Sequence, residues 1–459
     1  MRDGRRNMDT GRRRRRGGRG GRLAAVAVAA LVAAWGGPAA AGEPAPAPAP
    51  AETVPAPSDQ AIGTVQRLIA LREEEIDLAR ASLELSKAFD DSLDVNGGLA
   101  QMDGMARELR PLLAGEKPPR DRMAAFALYL FRTRGLQPIK DENVHARDLL
   151  YQLLKTREGA ASPLSFLYAV LGQHLGLPLR VAAAPRHVFV RYEDRTETLN
   201  IETTDRGSIY TEAQYKERFG DPPSPPYLKG LSRREGLALL LYQQGTWLLD
   251  RRRPAEAHVC HAAAVQVMPN YPEAWLGRGT ALAVVGRPRD TVACVDEALK
   301  VYPQWAKAWH MRGSALGLAG ASQEAVASLD KAIELDPKMI EAWADKGIAL
   351  GALGKFEESL ACFDKCIELN PGNPALWFNK AAVLSRLGKH REAVECLDKI
   401  LARNPQDAQV WHSKAVAHYQ LEEYAEAWRC IKRVKRFGAT PDPKFIDLLK
   451  ERMPEPAEP

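Results

Sequence analysis

The first 259 residues contain no cysteine; all six lie between Cys260 and Cys430. Thiol chemistry is therefore excluded from more than half of the chain. Charge of one sign is also lacking. The net charge is +6, but residues 1–41 carry ten arginines and two aspartates, a surplus of eight that leaves the rest at −2. A near-neutral body has no basic face for nucleic acid, so no nucleic-acid partner is expected. Phosphate-binding glycine loops are missing from the body; GGRGG at 17–21 lies in the arginine-rich start. The nine histidines are scattered, and the closest pair, His258 and His261, precedes no carboxylate at metal-ligand spacing. No metal or cofactor is expected. Cys362 and Cys366, one helical turn apart, do not change this, because Cys366 falls on a small packing position.

The start of the chain has a recognisable order. A basic stretch precedes LAAVAVAALVAAW at 23–35, an apolar run of thirteen residues, short for a membrane span of about 20. GGPAAAGE follows, with Ala39 and Ala41 at a small-x-small cleavage site. This is the pattern of a secretory signal peptide. Export to the periplasm or the exterior is the expectation for 1–41, and a membrane tether through residues 23–41, as in an anchored assembly factor, is the alternative. Residues 42–59 contain EPAPAPAPAETVPAPS, a Pro/Ala-rich linker of extended, semi-rigid character.

Five tryptophans supply the strongest pattern. Trp275, Trp309, Trp343, Trp377 and Trp411 stand 34 residues apart, the period of a helix-turn-helix solenoid unit. Pro269, Pro303, Pro337, Pro371 and Pro405 keep the same spacing, where proline stops a helix. Gly279, Gly313, Gly347, Ala381 and Ala415 give each unit a small residue for close helix packing, and Gly286, Gly320, Gly354 and Gly388 mark its internal turn. Ala257, Ala325, Ala393 and Ala427 recur early in the second helix, with Thr291 and Ser359 as variants. Large, small and closing proline in this order resemble the tetratricopeptide repeat. Extending the grid reaches Leu241 with Gly245 at one end and Phe445 at the other. Six repeats are expected over 238–441, a capping helix over 442–452 and a disordered tail over 453–459. Cys260, Cys294, Cys362, Cys396 and Cys430 share one register, with Ser328 in the vacant slot. A helix lies between successive members, and helices pack about 8–10 Å apart, too far for disulfides. They read as buried packing residues.

The region between linker and repeats is the place for chemistry. Apolar periodicity predicts helices over 61–89, 97–114, 120–134, 143–157 and 161–175. LRVAAA and HVFVRY then read as strands, with His187, Phe189 and Arg191 on one face, and LNIETT as a hairpin partner. The landmarks GAASPLSFLYAVLGQHLGLPLRV, PRHVFVRY and NIETTDRG resemble the transglutaminase-like superfamily, a papain-like arrangement of Cys, His and Asp, and most of all a bacterial subgroup that joins this domain to tetratricopeptide repeats. LSRREGLALLL, Leu231–Leu241, resembles that subgroup's linking segment. The resemblance covers roughly 60–240. It implies a mainly α chain: an α+β transglutaminase-like domain over 60–237, then an all-α solenoid.

The resemblance also assigns positions. His187 takes the histidine position and Glu202 the acid position, where Asp is more usual. The nucleophile position falls fifteen residues before Gly176, on Ala161, which has no lone pair to attack an acyl group. Ser162 is rotated by about 100° from that position and precedes Pro163, which suits a helix cap. Ser165 lies a further turn along. The domain therefore reads as a pseudoenzyme with His187 and Glu202 as vestiges; an amide hydrolase or acyl transferase using a non-Cys nucleophile is the alternative. Partners are expected to be proteins or peptides, held on the repeats. By resemblance, the first helix of each repeat lines a groove, with Glu273, Lys307, His310, Glu341, Asp345, Phe378, Asn379, Gln409 and His412 as candidates. Arg278, Arg312, Lys346, Lys380 and Lys414 form a basic ladder three places after each Trp. It reads as stems covering apolar surface with charges in water, rather than as a binding stripe.

Overall fold

The computed structural model describes residues 56–139, 149–185, 187–220 and 227–456. The segment 1–41, the linker up to residue 55, part of the helix expected over 143–157 and the last three tail residues lie outside these. The described residues fall into two compact units, one ending at Pro337 and one beginning at Lys338. No helix among them is long and apolar enough to cross a membrane.

The first unit opens with α1 (Asp59–Ala70) and α2 (Leu78–Lys87). The single helix expected over 61–89 is thus two. Asp77 interrupts it, accepting hydrogen bonds from the Ala79 and Arg80 amides and so capping a new start. Next come α3 (Val95–Leu109), α4 (Pro119–Leu128), which continues into a π-type turn at Tyr129–Thr133, and α5 (Leu150–Thr156). Two short parallel strands, β1 (Gln137–Pro138) and β2 (Glu158–Gly159), flank α5. The central helix α6 (Ala161–His174) is buried from Pro163 to Gly172, and it ends at Gly176, whose φ of +70° suits a residue without Cβ.

An antiparallel meander packs on α6. Its strands are β3 (Leu179–Ala184), β4 (His187–Glu193), β5 (Thr198–Glu202) and β6 (Ser208–Tyr210), adjacent in chain order. The register pairs Ala184 with His187 and Val190 with Ile201. Strand β6 and the following α7 (Glu212–Phe219) extend the expected hairpin. As alternation requires, His187, Phe189 and Arg191 share a face, and α7 covers it: Tyr215 stacks on Phe189 with ring centroids 4.2 Å apart.

Paired helices follow: α8 (Arg233–Asp250) with α9 (Pro254–Val267), α10 (Pro272–Val284) with α11 (Pro288–Val301), and α12 (Ala306–Leu318) with α13 (Ser322–Leu335). Helix α8 begins at Arg233, so it spans the 237/238 boundary drawn from the spacing. The second unit holds α14 (Ile340–Ala352) with α15 (Phe356–Leu369), α16 (Pro374–Arg386) with α17 (His390–Leu401), α18 (Ala408–Gln420) with α19 (Tyr424–Arg436), and α20 (Pro443–Arg452). The last of these buries Phe445 and Leu449 against Trp428 and Ile431, which caps the array.

The Trp–Pro pattern has a direct cause. The indole N–H of Trp275, Trp309 and Trp411 donates to the carbonyl of Pro269, Pro303 and Pro405 at 2.8 Å, and Trp377 to Pro371 at 3.1 Å. The small positions are equally constrained: a Cβ on Gly313 would lie 2.5 Å from Leu329 Cγ. The turn glycines have φ between +73° and +81°, and the same register places Arg252 and Glu422 in the left-handed region at 60° and 61°. All six cysteines are buried and carry free thiols. Burial pushes Cys396 and Cys430 up to about 11 and Cys366 to about 12.

The first repeat carries an oddity. His261 on α9 is fully buried, and neither ring nitrogen has a hydrogen-bond partner among the described residues. Its ring fills a notch between two glycines, where a Cβ on Gly245 or Gly277 would approach to 2.7 or 2.6 Å. Burial, with a smaller contribution from His258, pulls this imidazole down to about 3. An unfolded histidine titrates near 6.5. Above that pH both states are neutral, so His261 adds no pH dependence. Below it the unfolded chain takes up a proton that the folded chain refuses. Stability then falls by up to about 1.4 kcal/mol per pH unit. Replacing His261 by Leu should cut the stability lost between about pH 7 and about pH 4.5 by roughly 2 kcal/mol. Urea unfolding at both pH values measures this; equal losses in the two proteins would refute it.

Candidate functional site

Helix α6 starts at Ala161, preceded by Ala160 in extended conformation with no side-chain cap. Ser162 is therefore inside the first turn and is not the N-cap expected from its place before Pro163. The backbone turns helical two residues earlier, and Pro163 is tolerated because first-turn amides have no helical acceptor. Ser165 is fully buried. Its hydroxyl lies 3.1 Å from Thr203 Oγ1 and 3.4 Å from the Val188 carbonyl, and Thr203 Oγ1 donates to the Ala161 carbonyl at 3.2 Å. These contacts bring the start of α6 against the ends of β4 and β5 that carry His187 and Glu202.

His187 and Glu202 form a tight pair, Nε2 to Oε2 at 2.7 Å, with side chains 5% and 0% exposed. The other carboxylate oxygen accepts from the Thr204 amide at 2.9 Å and the Thr204 hydroxyl at 2.5 Å. Burial alone would raise the Glu202 carboxyl. The His187 imidazole and the Thr204 donors outweigh it and hold the group below its ordinary range. Phe219 of α7 stacks on the imidazole, centroids 4.1 Å apart and planes within 10°. Burial, then the Glu202 charge, pushes the Tyr215 hydroxyl well up. The result is an oriented imidazole on a buried carboxylate. Ala161, the first residue of α6, is tied to this corner through its carbonyl, which accepts from Thr203 Oγ1 at 3.2 Å. The stacking Phe219 and the Thr203 and Thr204 hydroxyls were missed from sequence; TT directly after Glu202 was the available signal.

The candidate groove residues separate by burial. Lys307, Glu341 and Gln409 are exposed; His310, Asp345, Phe378 and His412 are half-buried; Asn379 and Glu273 are buried. Burial lowers the His412 imidazole, whose ring meets Phe445 edge-on at 5.5 Å. Glu273 faces the transglutaminase-like region: Tyr227 donates its hydroxyl to the two carboxylate oxygens, at 2.8 and 2.7 Å.

The basic ladder turns onto the tryptophans. Arg278, Arg312, Lys346, Lys380 and Lys414 lie 5.5–6.0 Å from the Trp ring centroids of their own repeats. Arg312, Lys380 and Lys414 pair with Asp296, Asp364 and Asp398 at 2.7, 2.6 and 2.5 Å. Asp296, Asp330, Asp364 and Asp398 are themselves 34 residues apart, a register missed in the sequence. The stems cover rings as expected, but these three charges meet carboxylates as well as water.

Glu202→Gln removes the charge that the buried pair requires. We expect a loss of about 2–4 kcal/mol at about pH 7. A carboxyl held low stabilises the fold above its unfolded value near 4.5 and ceases to do so as pH falls through its folded value. The gap between variant and parent should therefore shrink at about pH 3. Urea unfolding measures it, and a gap of constant size would refute the assignment.

Residues 97–238 match the transglutaminase-like superfamily. Residues 276–340 and 352–417 match tetratricopeptide repeats. No curated protein matches the chain. Among solved structures, MamA of Desulfovibrio magneticus RS-1 is 23% identical, with a TM-score of 0.36 over 37% of this chain and 97% of that one. YrrB, a tetratricopeptide-repeat protein with an unusual peptide-binding site, is 21% identical, with a TM-score of 0.35 over 39% and 91%. PilF of Pseudomonas aeruginosa is 18% identical, with a TM-score of 0.41 over 48% and 99%. The chain is a transglutaminase-like domain followed by an array of tetratricopeptide repeats.

Proposed function

We propose that this protein is an exported scaffold or adaptor that binds protein or peptide partners on its repeats, and that its transglutaminase-like domain performs no acyl transfer. One observation carries the reading: at the position where the family keeps its nucleophile, α6 begins with Ala161, whose methyl cannot attack an acyl carbon. The buried Ser165 hydroxyl, one turn into α6, is engaged with Thr203 and Val188. Export rests on the leader pattern of residues 1–41.

The intact His187–Glu202 pair favours a second reading, an amide hydrolase or acyl transferase with a non-Cys nucleophile. It is the weaker one, because the Thr204 and Ser165 hydroxyls at this corner are already engaged, with Glu202 and with Thr203 and Val188. For a buried pair the fold itself supplies a reason to keep both members: removing one strands the other.

Stacked repeats expose a long face from which polar side chains reach a partner. With residues 42–459 immobilised and exposed to an envelope extract, Lys307→Glu or Gln409→Ala should lower recovery of a specific partner about tenfold, some 1.4 kcal/mol of binding. Glu202→Gln, at a temperature where it stays folded, should leave recovery unchanged. Recovery that depends on Glu202 and ignores both repeat positions would overturn the proposal.

A further inference from the structure

Positions 273, 307, 341, 375 and 409 are one slot of the 34-residue register, on the first helix of successive repeats. Lys307, Glu341, Ala375 and Gln409 are exposed there; Glu273 is the buried polar member, at 6%, and the apolar Leu239 of the repeat before it is buried too. What covers Glu273 belongs to the same chain. Residues 227–231 run along β3, the free edge strand of the meander: the Leu228 amide donates to Ala183 and the Leu231 amide to Val181, both at 2.8 Å. From this segment Tyr227 projects its hydroxyl onto Glu273. The segment thus occupies the slot as an extended peptide would, pairing with a strand on one side and meeting the first helix of a repeat on the other.

Two features mark it as held rather than relaxed. Leu228 has φ of 57°, the left-handed region that a residue with a Cβ adopts only under constraint. Its carbonyl is gripped by Arg191 Nη1 at 2.7 Å. The same nitrogen lies 3.1 Å from Glu212, at the start of α7, and 3.3 Å from Asn200 of β5. Arg191 therefore ties the segment to the helix whose Phe219 lies on His187.

We propose that residues 227–231 are an intramolecular strap that closes the slot at Glu273, on the second repeat, and steadies α7 over His187. An extended peptide presenting a tyrosine to Glu273 would displace it. Release would vacate the slot, bare the edge of β3 and free the Arg191 grip on α7. The displacement step rests on the reading of the repeats as the partner surface; the strap itself does not.

Hydrogen exchange on the full chain tests the strap without a partner. In Tyr227→Phe and, independently, in Glu273→Gln, amides of 227–231 and of 212–219 should exchange about tenfold faster, while those of α6 at 161–174 keep their parental rates. Unchanged exchange at 227–231 in both variants overturns the strap. Faster exchange at 227–231 with 212–219 unaffected overturns the link to α7. An equal rise across 161–174 overturns both, because Tyr227 would then be supporting the whole domain. Failed partner capture would leave this exchange pattern intact, so the two proposals fail separately.

Discussion

The repeat array depends on one short reach, from an indole N–H to a proline carbonyl six residues behind it. The proline has no amide of its own and stops the preceding helix. The carbonyl it offers orients the Trp at the start of the next helix. Once the ring is placed, the rest of the unit follows. A small residue one turn on admits a side chain of the second helix, and the basic residue three places after the Trp crosses the ring. In three repeats that residue then finds an aspartate of the helix before it. Repeating this arrangement every 34 residues stacks the helices without disulfides, which is why the cysteines can remain buried thiols with raised pKa values.

The transglutaminase-like domain shows the opposite economy. Its buried polar residues hold the fold together, and on the proposed reading the position that would carry the nucleophile does not. The Glu202 carboxylate receives donors from His187 and Thr204, and Thr203 ties the start of α6 to the end of β5. Loss of any of these strands a buried polar group. The position of Ala161 carries no such burden, since a methyl at a half-exposed helix start has no polar atom to leave unpaired. Chemistry and stability therefore separate at this site, residue by residue.

The periodic features were legible in the sequence because each repeats. Tryptophan spacing gave the repeat architecture, the cysteine register gave the buried thiols, and alternation in HVFVRY put His187, Phe189 and Arg191 on one face. Features made by single, distant residues were not legible. Nothing in the local sequence announces that Tyr227 meets Glu273 across 46 positions, or that Phe219 of a short helix lies on His187. Two local readings also failed for local reasons. Asp77 split a helix whose apolar period runs through it, and Ser162 lost the cap to a backbone that turned helical at Ala161. The aspartate register was visible in principle, but it matters only once the basic ladder is seen to point at it.

The account's central claim is that no side chain near His187 attacks an acyl group. The most direct measurement is intact-mass analysis of the folded parent protein after exposure to a serine-directed fluorophosphonate, beside Ala161→Cys exposed to iodoacetamide. The account predicts no adduct on the parent and a single alkylation at Cys of the variant, faster than at the six buried thiols. A fluorophosphonate adduct on Ser162 or Ser165 of the parent would contradict it.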